Sequence, residues 1–148
     1  MSLFSEDMVS LDLRSTTAEG AIRELAALIE AQGRLNDADT YVAAVLAREA
    51  VGPTGMEMGI AIPHGKSPAV AEAAVAVGRS PGIDFGASDG TEARMIFLIA
   101  APDNEENVHL KILAQLARRL IHEEFRTRLE EAATPDAVIG VIDQEVTL

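Results

Sequence analysis

The sequence has 148 residues, 48% hydrophobic and 24% charged, enough for one packed core and too few for two ordinary domains. Zero cysteines exclude a disulfide scaffold, a thiolate metal site and a cysteine nucleophile. A net charge of −12 opposes binding to phosphate backbones and anionic lipid, and with no Trp and one Tyr there is no stacking platform for bases.

No repeat or linker divides residues 1–148, which read as a single unit. The longest apolar run, Met95 to Ala101, is far shorter than the roughly 18 residues a membrane helix needs. No basic and apolar leader opens the chain, so a cytoplasmic location is expected. The first helix follows Thr16, where Thr16-Thr17-Ala18-Glu19 matches the capping-box spacing. Ile22, Leu25, Ala26 and Ile29 share its inner face and Gly33 stops it. A second helix starts at Asn36 or Asp37, turns Tyr41, Ala44, Val45 and Leu46 inward, and ends near Arg48-Glu49 before Gly52-Pro53.

Between Gly52 and Gly82 glycines punctuate short β-like runs, Ile60-Ala61-Ile62 and Ala73 to Val77. The strand Ala93 to Ala101 follows the Asp89-Gly90 turn, and its near-continuous apolar character predicts cover on both faces. Asn104-Glu105-Glu106 opens a long helix with an apolar stripe at Ile112, Leu113, Leu116, Ala117 and Leu120. A shorter helix covers Glu123 to Ala132. Thr134-Pro135-Asp136 then begins a last one carrying Val138, Ile139, Val141 and Ile142. Helices outside and strands in the middle predict an α/β or α+β fold.

Three histidines are the candidates for chemistry. His64 stands in Ile60-Ala61-Ile62-Pro63-His64-Gly65-Lys66-Ser67, just past a short strand that Pro63 ends or edges. Gly65 allows close approach to the backbone, and Lys66 is placed in a loop within reach of phosphate. A neutral imidazole there is a nucleophile for phosphoryl groups; the plainer reading is a surface histidine in a turn. His109 shares the buried face of the long helix near its start. The helix dipole favours a neutral ring there, either as a hydrogen-bonded core histidine or as a donor to a nearby anion. Arg48 closes the second helix and either grips phosphate or complements the dipole. His122, at a helix junction, reads as solvated or structural. No His-x-x-x-His pair, Walker loop, dinucleotide fingerprint or nucleophile elbow is present, so neither a metal nor any cofactor is expected.

Arg48-Glu49, Thr54-Gly55, Gly59 to Ser67 and His109-Leu110-Lys111-Ile112-Leu113 occur in an order and at spacings that resemble the IIA component of the bacterial phosphoenolpyruvate-dependent sugar phosphotransferase system, in its fructose–mannitol class. The similarity runs from about Leu11 to Ile142. It implies a mixed β-sheet sandwiched by helices and a phosphoryl relay. By this resemblance His64 would take the group from the phosphocarrier protein HPr through Nε2 and pass it to a IIB component that works with a membrane IIC component. The resemblance further implies that His109 and Arg48 orient or stabilise the phosphoryl group. Thr54, Gly65, Lys66 and Ser67 join them as candidate phosphate-holding residues. The nitrogen-related IIA regulators, which act by phosphorylation-dependent protein binding, are the alternative. One departure is Met56-Glu57-Met58, where relatives often have a small or polar pattern; Glu57 brings negative charge toward the phosphate unless its loop turns outward. Residues 52–82 balance Glu57 and Glu72 against Lys66 and Arg79. The −12 therefore lies in the flanks, an arrangement suited to steering a basic carrier protein.

Overall fold

A computed structural model describes residues 3–104 and 108–145, save for the side chains of residues 108–110. Six strands form one mixed sheet, β1 (Val9–Ser10), β2 (Gly55–Met56), β3 (Ile60–Ala61), β4 (His64–Ser67), β5 (Ala74–Ile83) and β6 (Ala93–Pro102). Its order is β1-β5-β6-β3-β2, with β4 also paired to β6. β5 and β6 are antiparallel, whereas β3 and β4 both run parallel to β6.

Alternation along the long strands divides the interior into two apolar layers. Ile96, Leu98 and Ala100 of β6 join the core under α1 (Ala18–Ala31) and α2 (Ala38–Val51). Met95, Phe97 and Ile99 join the core under α3 (Val108–Leu120), α4 (Glu123–Glu131) and α5 (Pro135–Glu145). Both faces of β6 are covered, as its unbroken apolar run predicted. The expected helix–sheet–helix sandwich is the one observed.

Local chemistry accounts for most boundaries and for the departures from expectation. Thr17, not Thr16, caps α1 by accepting the Gly20 N–H at 3.1 Å. The Glu24 carboxylate, in the second turn, accepts the N–H groups of Arg14 and Ser15 and the Ser15 hydroxyl, tying the chain that leads in to the helix. With Gly20 at the third helical position, no capping-box glutamate reaches back. Gly33, at φ +73°, ends the turn after α1 as expected. Asp37 caps α2 through the Thr40 N–H at 3.2 Å. That helix continues to Val51, about a turn further than Arg48-Glu49 implied; it buries Val42, while Ala44 and Leu46 are only partly covered. Thr134 caps α5 through the Ala137 N–H at 3.1 Å. The expected opening of α3 at Glu105-Glu106 falls outside the described residues. Among the described residues no helix is long and apolar enough to cross a membrane.

Candidate functional site

His64 begins a strand rather than following one. Ile60 pairs with Met95 and Ala61 with Ile96; then His64 pairs with Ile99 and Gly65 with Ala100, all at one constant register. β3 and β4 are thus one line of chain along β6, interrupted at Ile62-Pro63. Pro63 is tolerated because the pairing uses its carbonyl, which accepts the Ile99 N–H at 3.0 Å, and asks for no proline N–H. Lys66, expected in a loop, is an exposed residue of this strand.

Strand alternation then sorts the candidates by face. His64 shares the side of Ile99, toward α3, and Gly65 shares the side of Ala100, toward α2. A Cβ at Gly65 would stand 2.7 Å from Val45 Cγ2 and 3.2 Å from Val45 N, so this glycine serves the seating of α2 on the sheet. Ser67 is buried, 2% exposed, and its hydroxyl accepts the Ala69 N–H at 3.1 Å. Neither Gly65 nor Ser67 lines the cleft in which His64 stands.

That cleft, about 400 Å³, lies between the loop after α2, the β2–β3 hairpin and α3. Arg48 and Thr54 form one wall, Met56 and Ile62 the hairpin side, and Leu113 and Ala117 the α3 side. His64 Nδ1 lies 3.0 Å from the Ile62 carbonyl. A carbonyl only accepts, so Nδ1 carries the proton and the basic lone pair of the neutral ring sits on Nε2. Arg48 spends one Nη1 bond on the Gly52 carbonyl at 2.7 Å, one of five N–H donors in its guanidinium. Thr54 is 6% exposed, and both its hydroxyl and its N–H go to the Glu49 carboxylate. Its hydroxyl proton is therefore committed to Glu49. His109 stands in the first turn of α3, one turn before Leu113, and its side chain lies outside the described residues. His122 is exposed at the N-cap of α4, with no side-chain capping bond.

Glu57, expected to bring negative charge toward the cleft unless its loop turned outward, is held outward. Its carboxylate accepts the Ser88 hydroxyl at 3.3 Å, and the neighbouring N–H groups of Met58 and Gly59 bond to Asp89 at 3.1 Å and Thr91 at 3.2 Å. The Asp89 carboxyl is lowered from its ordinary value by hydrogen bonds from the Thr91 hydroxyl first, then from the N–H groups of Thr91 and Met58. Met58 adopts φ +69° at this tip. The Ile62 carbonyl is the site component that side-chain patterns could not disclose, since it is a main-chain atom. Among the described residues no three His, Asp or Glu side chains gather as a metal site requires.

Residues 2–145 match the family described as phosphoenolpyruvate-dependent sugar phosphotransferase system, EIIA 2. The chain is 40% identical over 141 residues to the PTS system fructose-specific EIIA component of Haloferax volcanii, covering 95% of this chain and 92% of that one. It is 39% identical over 143 residues to the PTS system fructose-specific EIIABC component of Bacillus subtilis, covering 96% of this chain but only 22% of that longer protein. Among solved structures, nitrogen regulatory protein IIA-Ntr from Neisseria meningitidis superposes with TM-score 0.86 at 28% identity, covering 95% of this chain and 96% of that one. Enzyme IIAMTL in its complex with phosphorylated enzyme IIBMTL from Escherichia coli gives TM-score 0.80 at 27% identity, covering 95% and 97%. The chain belongs to the EIIA type 2 family of the sugar phosphotransferase system, a family of phosphotransferases.

Proposed function

Within that family, we propose that this protein is a cytoplasmic phosphocarrier that accepts a phosphoryl group from phospho-HPr on His64 and delivers it to a IIB component serving fructose-type uptake. The observation that carries the reading is the Nδ1–H bond from His64 to the Ile62 carbonyl, in a cleft that Arg48 also lines. With Nδ1 protonated, the Nε2 lone pair attacks phosphorus. The P–N bond of the donor phosphohistidine breaks and its electron pair returns to the donor nitrogen. As Nε2 gains the phosphoryl group, positive charge grows on the ring, and the Ile62 carbonyl dipole stabilises it at Nδ1. The task is one of positioning and charge stabilisation, for which the uncommitted N–H donors of Arg48 are suited. The corresponding proposal for His109 is to orient the phosphoryl group from α3. Lys66, exposed on the strand two residues past His64, can add diffuse positive charge, whereas Gly65, Ser67 and Thr54 act by holding the frame. Delivery onward returns His64 to its starting state, and the membrane IIC component enters only through IIB.

Phosphoenolpyruvate with Enzyme I and HPr, read by intact mass and acid lability, tests the assignment. Wild type should gain one acid-labile phosphate and His64→Ala none; an undiminished adduct in the variant refutes it. The likeness to the IIA-Ntr protein supports a second reading, a regulator that binds targets according to its phosphorylation state. Passage of the phosphate to a fructose-type IIB favours the carrier, and its retention favours the regulator.

A further inference from the structure

One more charged group is bonded to the wall of the same cleft, through Thr54. Glu49, half-buried on the last turn of α2, accepts the Thr54 N–H at 3.3 Å through Oε2 and the Thr54 hydroxyl through Oε1. Thr54 is only 6% exposed, so a donor that lost this carboxylate would find little water to replace it. The Thr54 carbonyl accepts the Ile62 N–H at 3.2 Å. The Ile62 carbonyl accepts His64 Nδ1–H at 3.0 Å. Three consecutive bonded steps therefore run from a helix-end carboxylate to the imidazole.

We infer that Glu49 is a positioning residue that sets the tautomer and orientation of His64 through Thr54 and Ile62, an inference that rests on His64 being the phosphoryl acceptor. The coupling is mechanical rather than electronic. The N–H and C=O of one residue belong to different peptide groups, so polarisation does not pass straight through Thr54 or Ile62. What passes is position. The loop between α2 and β2 has few ways to be held: Pro53 has no N–H, and Gly52 leaves the helix in extended conformation. Arg48 grips the Gly52 carbonyl and Glu49 grips Thr54, so two successive helix residues clasp the loop. A carboxylate suits the second grip because it offers acceptors only, and Thr54 presents two donors. A glutamine would oppose one Thr54 donor with its own NH₂.

The test uses the ¹⁵N-labelled full chain, wild type, Glu49→Gln, Glu49→Ala and Thr54→Val, with circular dichroism giving the folded fraction. Long-range ¹H–¹⁵N spectra at alkaline pH report which ring nitrogen of His64 carries the proton. Wild type is expected in the Nδ1–H form, and both Glu49 variants should move toward the Nε2–H form that free histidine favours. Their initial rates of acid-labile phosphate uptake from HPr, per folded molecule, should fall by about tenfold to a hundredfold, the range for small misplacements of a reacting group. Thr54→Val removes only the hydroxyl link and should fall between; it carries the test if Glu49→Ala does not fold. An unchanged tautomer in folded Glu49→Gln, or a shifted tautomer with an unchanged rate, overturns the inference. If wild type takes up no phosphate, the acceptor assignment fails by itself, while the tautomer spectra still decide whether Glu49 governs the ring.

Discussion

Replacing Gly65 by alanine separates packing from phosphate access. The new methyl carbon would lie 2.7 Å from Val45 Cγ2, about 1 Å inside normal carbon–carbon contact. Val45 cannot simply swing aside, because a valine in a helix has essentially one side-chain rotamer. Its backbone N is only 3.2 Å away, and on the other side Tyr41 Cε1 stands at 3.3 Å. Tyr41 is itself fully buried and tied by its hydroxyl to the Ile99 carbonyl at 2.8 Å. Helix α2 must therefore lift off the sheet, at an overpacking cost of about 1–3 kcal/mol. For a chain of this length that lowers Tm by roughly 2–12 °C, measurable by thermal unfolding at neutral pH. Val45→Ala added to Gly65→Ala vacates the space, so the pair should be less destabilised than the sum of the singles by about 1 kcal/mol. The methyl points away from the cleft, so uptake per folded molecule should fall only as far as α2, which carries Arg48 and Glu49, is displaced, and Val45→Ala in the pair should restore it. A Tm equal to or above wild type, accompanied by loss of phosphate uptake, would refute the packing reasoning and restore Gly65 as a site of ligand approach.

Arg79 on β5 brings Nη1 within 3.3, 3.0 and 2.7 Å of the carbonyls of Leu129, Glu130 and Ala132, closing the C-terminal end of α4. Arg79→Met keeps the apolar stem but frees those acceptors, and should cost about 1–3 kcal/mol in urea unfolding; an unchanged midpoint would mean water replaces the guanidinium without loss. Partial burial pushes the Glu24 carboxyl up, yet hydrogen bonds from the Arg14 N–H and from the Ser15 hydroxyl and N–H outweigh it and hold the group below its ordinary value. Its contribution to stability is therefore fully present above the unfolded value of about 4.3 and is lost as pH falls through the lower folded value. Stability of Glu24→Gln should accordingly depend less steeply on pH below about 5 than that of wild type, and parallel curves would contradict the assignment.

The helices were legible because their signals are local. Asp37 and Thr134 cap the helices they precede, and the apolar spacings at Ile22, Leu25 and Ile29 mark a buried face whatever the partner. The β6 run was legible because seven apolar residues in succession leave no solvent face. The Pro63-His64-Gly65 stretch was not, because proline and glycine carry the same local signal in a turn as in a strand. Only the pairing with Ile99, which takes the proline carbonyl, and the approach of Val45, which excludes a side chain, identify it as strand. The short β1 and β2 were illegible for a related reason: two residues show no periodicity, and their state depends on a distant neighbour.

The same division runs through the site. The sequence by itself determined which groups are present: an imidazole in a proline- and glycine-flanked run, an arginine at a helix end, no thiol, and a segment of residues 52–82 free of net charge. Their order along the chain was specific enough to identify the family. What only the tertiary structure decided is direction. Glu57 is turned outward and bonded by Ser88, thirty-one residues away; Ser67 faces inward; and Nδ1 of His64 meets the carbonyl of Ile62, whose N–H is bonded to Thr54 and, through it, joined to Glu49. Composition and spacing specify chemistry because side chains carry it. Direction depends on which face of the sheet a residue takes and on bonds such as that of Ser88 to Glu57, and these exist only once the strands have paired.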